Sequence, residues 1–108
     1  MAYYLVRARP REDKLVDLRS RIDSGEIQQM RPFGTAMDFS LRDAKVEADG
    51  TAVWEEEDYC SPPLAMERQA VLNDYFDGVT VEQVEEGKGW EAIDDLPGLW
   101  QAKGISTE

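Results

Sequence analysis

The chain has 108 residues, of which 23 are acidic and 12 basic, so its formal net charge is −11, and it contains no histidine. A charge of this sign repels nucleic-acid backbones and anionic membrane surfaces, and no basic patch offsets it, which argues against both as partners. It favours instead a basic protein partner or a cationic ligand. Because histidine is absent, the groups left for proton transfer are carboxylates, tyrosines and one cysteine.

Length and composition predict a single domain. Residues 1–100 are expected to form it, ending in an aromatic C-terminal segment, and residues 101–108 are expected to be a flexible tail. One cysteine cannot form an internal disulfide, which fits a reducing compartment. No apolar run approaches the roughly 20 residues of a membrane span, and arginines follow the short apolar run at the N-terminus, so a cytoplasmic location is predicted.

The chain opens with a predicted strand and a predicted helix. Residues 2–9 are rich in aromatic and β-branched residues and end at Pro10, as expected of a strand. Apolar residues recur at helical spacing across residues 11–24, so a helix is predicted there, stopped by Gly25.

A second strand is predicted to begin near Thr35. Met37, Phe39 and Leu41 alternate with polar residues, which is the pattern of a half-buried strand. The alternation breaks at Asp43-Ala44, where a β-bulge would restore a single apolar face.

The central residues predict a hairpin, a second helix and a fourth strand. Asp49-Gly50 is a strong hairpin-turn signal, and residues 51–60 follow it as the third strand. Ser61-Pro62 is expected to open the second helix, with the serine as N-cap, and Asp77-Gly78 to end it. The fourth strand is then expected over residues 79–85.

The resulting order, β-α-β-β-α-β, is that of the ferredoxin-like fold. This α+β fold has a four-stranded antiparallel sheet, with strands one and three at its centre and two helices on one face. Small proteins of this type often cover the other face by dimerising, so a homodimer is predicted. The aromatic tail with Trp90 and Trp100 is expected to dock on its own domain, with docking on a partner subunit as the alternative.

Three segments resemble the first half of YCII-related proteins: residues 3–10 (YYLVRARP), residues 22–27 (IDSGEI) and residues 31–34 (RPFG). Those proteins belong to the dimeric α/β-barrel group, so the resemblance implies a ferredoxin-like fold and a dimer. YCII-type proteins are associated with a histidine–aspartate pair, and this chain has no histidine. The resemblance therefore implies no catalytic residue and no activity.

The acidic run on the third strand is the main candidate site. Successive strand residues point to opposite faces, so Glu55 and Glu57 share one face and Glu56 and Asp58 the other. Arginines of the adjacent first strand are placed to face one of these pairs. Bidentate contacts between arginine and carboxylate would satisfy both partners.

Three interpretations of this run stay open: a polar pocket, an inter-strand ion-pair ladder beneath a dimer interface, and a solvated face that discourages edge pairing. In the pocket, one glutamate would act as general base, the tyrosine would donate a proton and the arginines would hold a small anionic ligand. The candidate residues are Glu55, Glu57 and Tyr59 as catalytic groups and Arg7, Arg9 and Tyr3 as ligand-binding groups.

No metal site or cofactor is predicted. At most two carboxylates of the run share a face, the acids lack the spacing of an EF-hand, and zinc would find one thiol and no imidazole. Cys60 is expected to be an inert thiol, because neighbouring acids oppose its ionisation. The function that these observations favour is a non-catalytic binding or interaction module acting as a homodimer. The alternative is a small cofactor-free lyase or isomerase.

Overall fold

The computed structural model describes residues 2–105, which form a four-stranded antiparallel sheet and its covering helices. The strands are β1 (Ala2–Pro10), β2 (Lys45–Val46), β3 (Ala52–Asp58) and β4 (Phe76–Val84). Their order in the sheet is β2-β3-β1-β4, so β3 and β1 are central, as predicted. In register, Leu5 lies opposite Glu55 on one side and Glu82 on the other.

The helices among the described residues are α1 (Leu15–Asp23), α2 (Gly34–Arg42), α3 (Ala65–Glu67), α4 (Asn73–Tyr75), α5 (Lys88–Ala92) and α6 (Leu99–Ala102). A 3-10 turn at Glu12–Lys14 leads into α1, and a π-helical stretch, Arg68–Leu72, joins α3 to α4. We call the continuous segment over residues 65–75 the α3–α4 helix. Among these described helices, none has the length and apolar character needed to cross a membrane.

Two helical segments pack on the same face of the sheet, and the fold is the predicted ferredoxin-like α+β fold. Leu18 of α1 and Leu72 of the α3–α4 helix belong to one buried cluster with Val6 and Trp54, which come from the central strands. We call this side of the sheet the helix face. The opposite side, which carries Leu5 and Val53, is the second face.

The segment predicted as a second strand is the helix α2, so that prediction is wrong. Met37 and Leu41 are buried, but Phe39 between them is 58% exposed, which is the pattern of a helix with one buried side. Residues 43–44 continue from the helix end, where Asp43 N–H donates to the carbonyl of Phe39, and form no β-bulge. Only the two residues of β2 pair with β3.

The predicted hairpin turn is confirmed: Gly50 has a φ of 92°, and the Glu47 N–H donates to the Thr51 carbonyl at 2.8 Å. The second predicted helix begins later than expected, at Ala65, because the chain first passes through Leu64 in the left-handed region. It also ends earlier, at Tyr75. Asp77-Gly78 therefore belongs to β4, where Asp77 pairs with Arg9 of β1.

The aromatic tail docks on its own domain, as predicted. Trp100 is buried, and its indole N–H donates to the carbonyl of Leu41 at 2.7 Å. Ile93 packs against Leu5 and Val53, so residues after α5 cover part of the second face. Of the tail predicted over residues 101–108, the part from 106 to 108 lies outside the described residues.

Candidate functional site

A cavity of about 660 Å³ opens on the second face, between α2, the neighbouring ends of β1 and β3, and the turn that enters α5. Its volume is within the range of small-molecule sites. Three of its lining residues are acidic, four are aromatic, and none is basic. The lining residues are Tyr3, Pro32, Thr35, Ala36, Phe39, Ser40, Glu55, Glu57, Tyr59, Glu86, Gly87 and Trp90.

The aromatic walls come from elements far apart in sequence. Phe39 of α2 and Trp90 of α5 meet edge to face, with ring centroids 6.5 Å apart. Tyr59, just after β3, is 72% exposed, and Tyr3 of β1 is half-buried. The rings of Phe39 and Tyr59 are thus largely open to solvent. Aromatic rings of this size usually bury most of their surface.

The acidic groups give the cavity a negative potential. Tyr59 donates its hydroxyl hydrogen to Glu57 Oε2 at 3.0 Å, and this contact raises the pKa of Tyr59. Partial burial raises the pKa of Tyr3, and the charges of Glu57 and Glu86 add to the effect. Both phenols therefore stay protonated at neutral pH and act as hydrogen-bond donors beside carboxylates.

Glu55 has a structural task within the cavity wall. Its side chain is buried and accepts three backbone N–H groups: Gly87 at 2.9 Å, Gly89 at 2.8 Å and Trp90 at 3.1 Å. A Cβ at Gly89 would come within 2.8 Å of Glu55 Oε1, so this approach requires glycine. The carboxylate thus satisfies N–H groups at the start of α5 that the helix itself leaves unpaired.

The predicted site residues fall into two groups. Tyr3, Glu55, Glu57 and Tyr59 meet at the cavity. Arg7 and Arg9 line a separate groove near the opposite end of β1, together with acids that include Glu47, Asp49 and Asp77.

The expected pairing of Arg7 with the acidic run of β3 is absent. Its nearest carboxylates are Glu47, at 3.1 Å from Nε, and Glu82, at 3.9 Å from Nη1. Glu47 follows β2 and Glu82 lies in β4, whereas Glu55 and Glu57 lie further along β3 than the residue opposite Arg7.

A second group of ionisable side chains lies on the helix face of the sheet. Glu56 and Asp58, the even-numbered acids of β3, are buried there with Glu67 of α3. One ligand atom each from Asp58, Cys60 and Glu67 lie within 4.8 Å of one another. Among the described residues, none of the three acids forms an ion pair with lysine or arginine.

Burial and mutual repulsion act on this interior cluster of Glu56, Asp58, Cys60 and Glu67. Burial is the main cause that raises the pKa of Glu67 to about 7, and contact with Asp58 adds to it. Burial also raises the pKa of Glu56 well above its usual range, with the facing Glu67 as the next cause. The pKa of Cys60 is raised as well, although a backbone N–H hydrogen bond opposes the shift.

The loop between β3 and α3 is fixed by Asp58. Its Oδ2 accepts the N–H of Cys60 at 3.1 Å and that of Leu64 at 2.6 Å. Leu64 has a φ of 62°, a conformation that costs a non-glycine residue about 1–2 kcal/mol. The hydrogen bond to Asp58 offsets part of that cost and holds Cys60 beside the α3–α4 helix.

Several residues of both groups were missed by sequence reasoning. Phe39 was assigned to a strand, and Glu86 lies just beyond the predicted fourth strand. Glu67 carried a usable signal, since it lies three residues after Leu64 and four before Val71, on the apolar stripe of its helix. An acid on such a stripe must be buried among its neighbours.

We compared the chain with protein-family models, with curated protein sequences and with solved structures, and found no match in any of the three. The function is therefore argued from the contacts of the chain itself.

Proposed function

We propose that the protein is a small-molecule binding module whose cavity on the second face takes a ligand with a positively charged nitrogen and an apolar body. The observation that carries this proposal is the lining itself, which combines acidic and aromatic side chains without any lysine or arginine. Carboxylates attract a cation by charge, and aromatic faces attract it through their quadrupole.

The charged end of the ligand would lie near Glu57. This carboxylate is half-buried, and one of its oxygens already accepts the Tyr59 hydroxyl, which fixes its orientation. Glu86 lies on the rim and adds a second negative charge. The overall charge of −11 would further raise the local concentration of a cation, an effect that weakens with salt.

The apolar end of the ligand would contact Phe39 and Trp90. Their edge-to-face pair forms a preformed wall, and Phe39 is 58% exposed. Covering exposed aromatic surface contributes about 25 cal/mol for each Å² removed from water. A ligand that covers this wall would therefore gain affinity in proportion to its apolar area.

The contacts of Glu55 favour binding over catalysis. A general base needs a free lone pair aimed at the substrate, whereas both oxygens of Glu55 accept backbone N–H groups. The remaining pair for a lyase or isomerase is Glu57 with Tyr59. We propose an anchoring role for Glu57, and its activity as a base stays the alternative.

The arginine groove supports a cationic rather than an anionic ligand. Arg7 is held by Glu47, and the exposed Arg9 lies beside Asp49 and Asp77. Nearby carboxylates offset the positive charge that an anion would need. An anionic ligand at Arg7 and Arg9 is therefore our less favoured proposal.

Four broader predictions accompany this proposal without a direct test. They are a homodimer formed through the second face, a basic protein partner, a cytoplasmic location and kinship with YCII-related proteins. Because residues near Ile93 cover part of the second face, less of the sheet is available to a partner subunit.

Isothermal titration with three aromatic probes of similar size tests the proposal. Benzyltrimethylammonium carries a positive charge, benzyl alcohol is neutral and phenylacetate is negative. We expect affinity to fall in that order, and we expect the affinity for the cation to weaken as salt is added.

Matched variants locate the binding. Glu86→Gln and Glu85→Gln change the net charge equally, but only Glu86 lines the cavity. Likewise, Phe39→Ala and Val16→Ala each remove an exposed apolar side chain, and only Phe39 lines the cavity. The first member of each pair should weaken binding of the cation several-fold, and the second should not. Equal effects within each pair, or tighter binding of phenylacetate, would contradict the proposal.

A further inference from the structure

The interior cluster of Glu56, Asp58, Cys60 and Glu67 brings three buried carboxyl groups and a thiol together. Glu67 is 0% exposed and Glu56 1% exposed, and Oε2 of each has no hydrogen-bond partner. Buried charges in proteins are paired with a counter-charge or coordinate a metal ion. Among residues 2–105, no ion pair supplies that counter-charge.

The four side chains converge from two elements and the loop between them. Glu56 and Asp58 come from β3, Glu67 from α3, and Cys60 from the loop. Glu56 Oε1 accepts the Trp54 indole N–H at 3.0 Å, and its Oε2 has no hydrogen-bond partner. The two backbone hydrogen bonds that Asp58 accepts both fall on Oδ2.

We propose that this interior cluster binds a zinc-type divalent metal ion through Asp58, Cys60 and Glu67, with water completing the coordination. The proposal is independent of the proposed function, because the cluster lies on the helix face of the sheet and the ligand cavity lies on the second face.

The spacing of the ligand atoms fits a tetrahedral ion. Sulfur and oxygen ligands of a tetrahedral zinc ion are about 3.5 Å apart. Cys60 Sγ and Glu67 Oε1 are 3.9 Å apart, and the three ligand atoms all lie within 4.8 Å of one another. Small side-chain rotations would bring them to bonding distance.

The ligand types select the ion. A thiolate favours zinc and related borderline ions over Mg²⁺ and Ca²⁺, which prefer oxygen ligands alone. Two positive charges would also offset the repulsion between Glu56 and Glu67. Cys60 is half-exposed, so it provides a path by which an ion can enter from solvent.

Cobalt substitution tests this site directly. The protein is treated with a chelator, desalted and titrated with Co²⁺, and the absorbance is recorded before Zn²⁺ is added in competition. We expect one ion per chain, a thiolate-to-cobalt charge-transfer band in the near ultraviolet, and loss of the band when Zn²⁺ displaces the cobalt. Because Cys60 is the sole cysteine, the band can come only from this residue.

Variants separate the site from surface acids. Cys60→Ser should remove the charge-transfer band, and Glu67→Gln should weaken Zn²⁺ binding by at least about tenfold. Glu57→Gln lies on the other face and should leave both readouts unchanged. Cys60→Ser exchanges only sulfur for oxygen, so its fold, checked by circular dichroism, is expected to persist even if Glu67→Gln is misfolded. Absence of the band in the unmodified protein, or zinc affinity that is equal in all folded variants, would overturn the proposal.

Discussion

Replacing Glu55 by glutamine tests whether this residue anchors α5 to the sheet. The amide keeps one carbonyl oxygen, which can still accept Gly89 and Trp90, but its NH2 group would face the N–H of Gly87. One charge-assisted hydrogen bond is lost, which costs about 1.5–3 kcal/mol. The negative charge at the start of the helix is lost as well, which costs about 0.3–1 kcal/mol. We therefore expect Glu55→Gln to lower the free energy of unfolding by about 2–4 kcal/mol.

Urea denaturation followed by tryptophan fluorescence measures this change, and amide hydrogen exchange locates it. The Gly87 amide should lose protection, since the oxygen that accepts it is replaced by an NH2 group. Glu57→Gln is the matched control, because it removes the same charge two residues along β3, where the carboxylate accepts the Tyr59 hydroxyl rather than the N–H groups of α5. It should change stability by less than about 0.5 kcal/mol. If the two variants are equally stable and the exchange at Gly87 is unchanged, the anchoring role is refuted.

Two further predictions concern the core. Trp100→Phe removes the indole donor to the Leu41 carbonyl and leaves a void, so we expect the free energy of unfolding to fall by about 2–3 kcal/mol in urea denaturation. Trp90 is half-buried, and Trp90→Phe should lower the free energy of unfolding by less than half as much. In metal-free protein, Glu67 has a raised pKa of about 7 because of burial and the facing acids, so the folded state holds a proton that the unfolded state releases at lower pH. Its contribution to stability is then complete below the unfolded pKa and is lost as pH rises through about 7. The difference in urea midpoint between about pH 5 and about pH 8 should therefore shrink in Glu67→Gln, and an unchanged difference would contradict this assignment.

Local sequence signals predicted the hairpin turn and the third strand, but they did not predict the helix α2. The turn at Asp49-Gly50 and the strand after it depend on neighbouring residues alone, and both are present. Met37 and Leu41 fit two patterns at once, because they are two alternations apart in a strand and one turn apart in a helix. A long-range contact accompanies the helix: Ser40 Oγ donates to the Glu55 carbonyl at 2.7 Å, where β3 has no β2 partner.

In the candidate site, too, the residues of the strands were predicted from the sequence, and the contact between two helices was not. Alternation along β3 correctly placed Glu57 and Tyr59 on one side, and pairing with β1 brought Tyr3 to them. Nothing in the local sequence indicates that Trp90 would close the cavity opposite Phe39, since their contact depends on how two helices pack. Sequence reasoning therefore recovered the wall formed by strands and missed the wall formed by helices.

The acidic run explains why one short strand can serve two different environments. Because successive side chains point to opposite faces, Glu55 reaches the N–H groups of α5, whereas Glu56, one residue later, is enclosed with Glu67. Both are almost fully buried, yet the first has three hydrogen-bond donors and the second shares its space with another acid. A buried carboxylate with donors is stable as an anion, whereas one facing a second carboxylate needs a proton or a cation. The different needs of two adjacent glutamates thus follow from strand alternation, and they separate an anchoring contact from a candidate metal site.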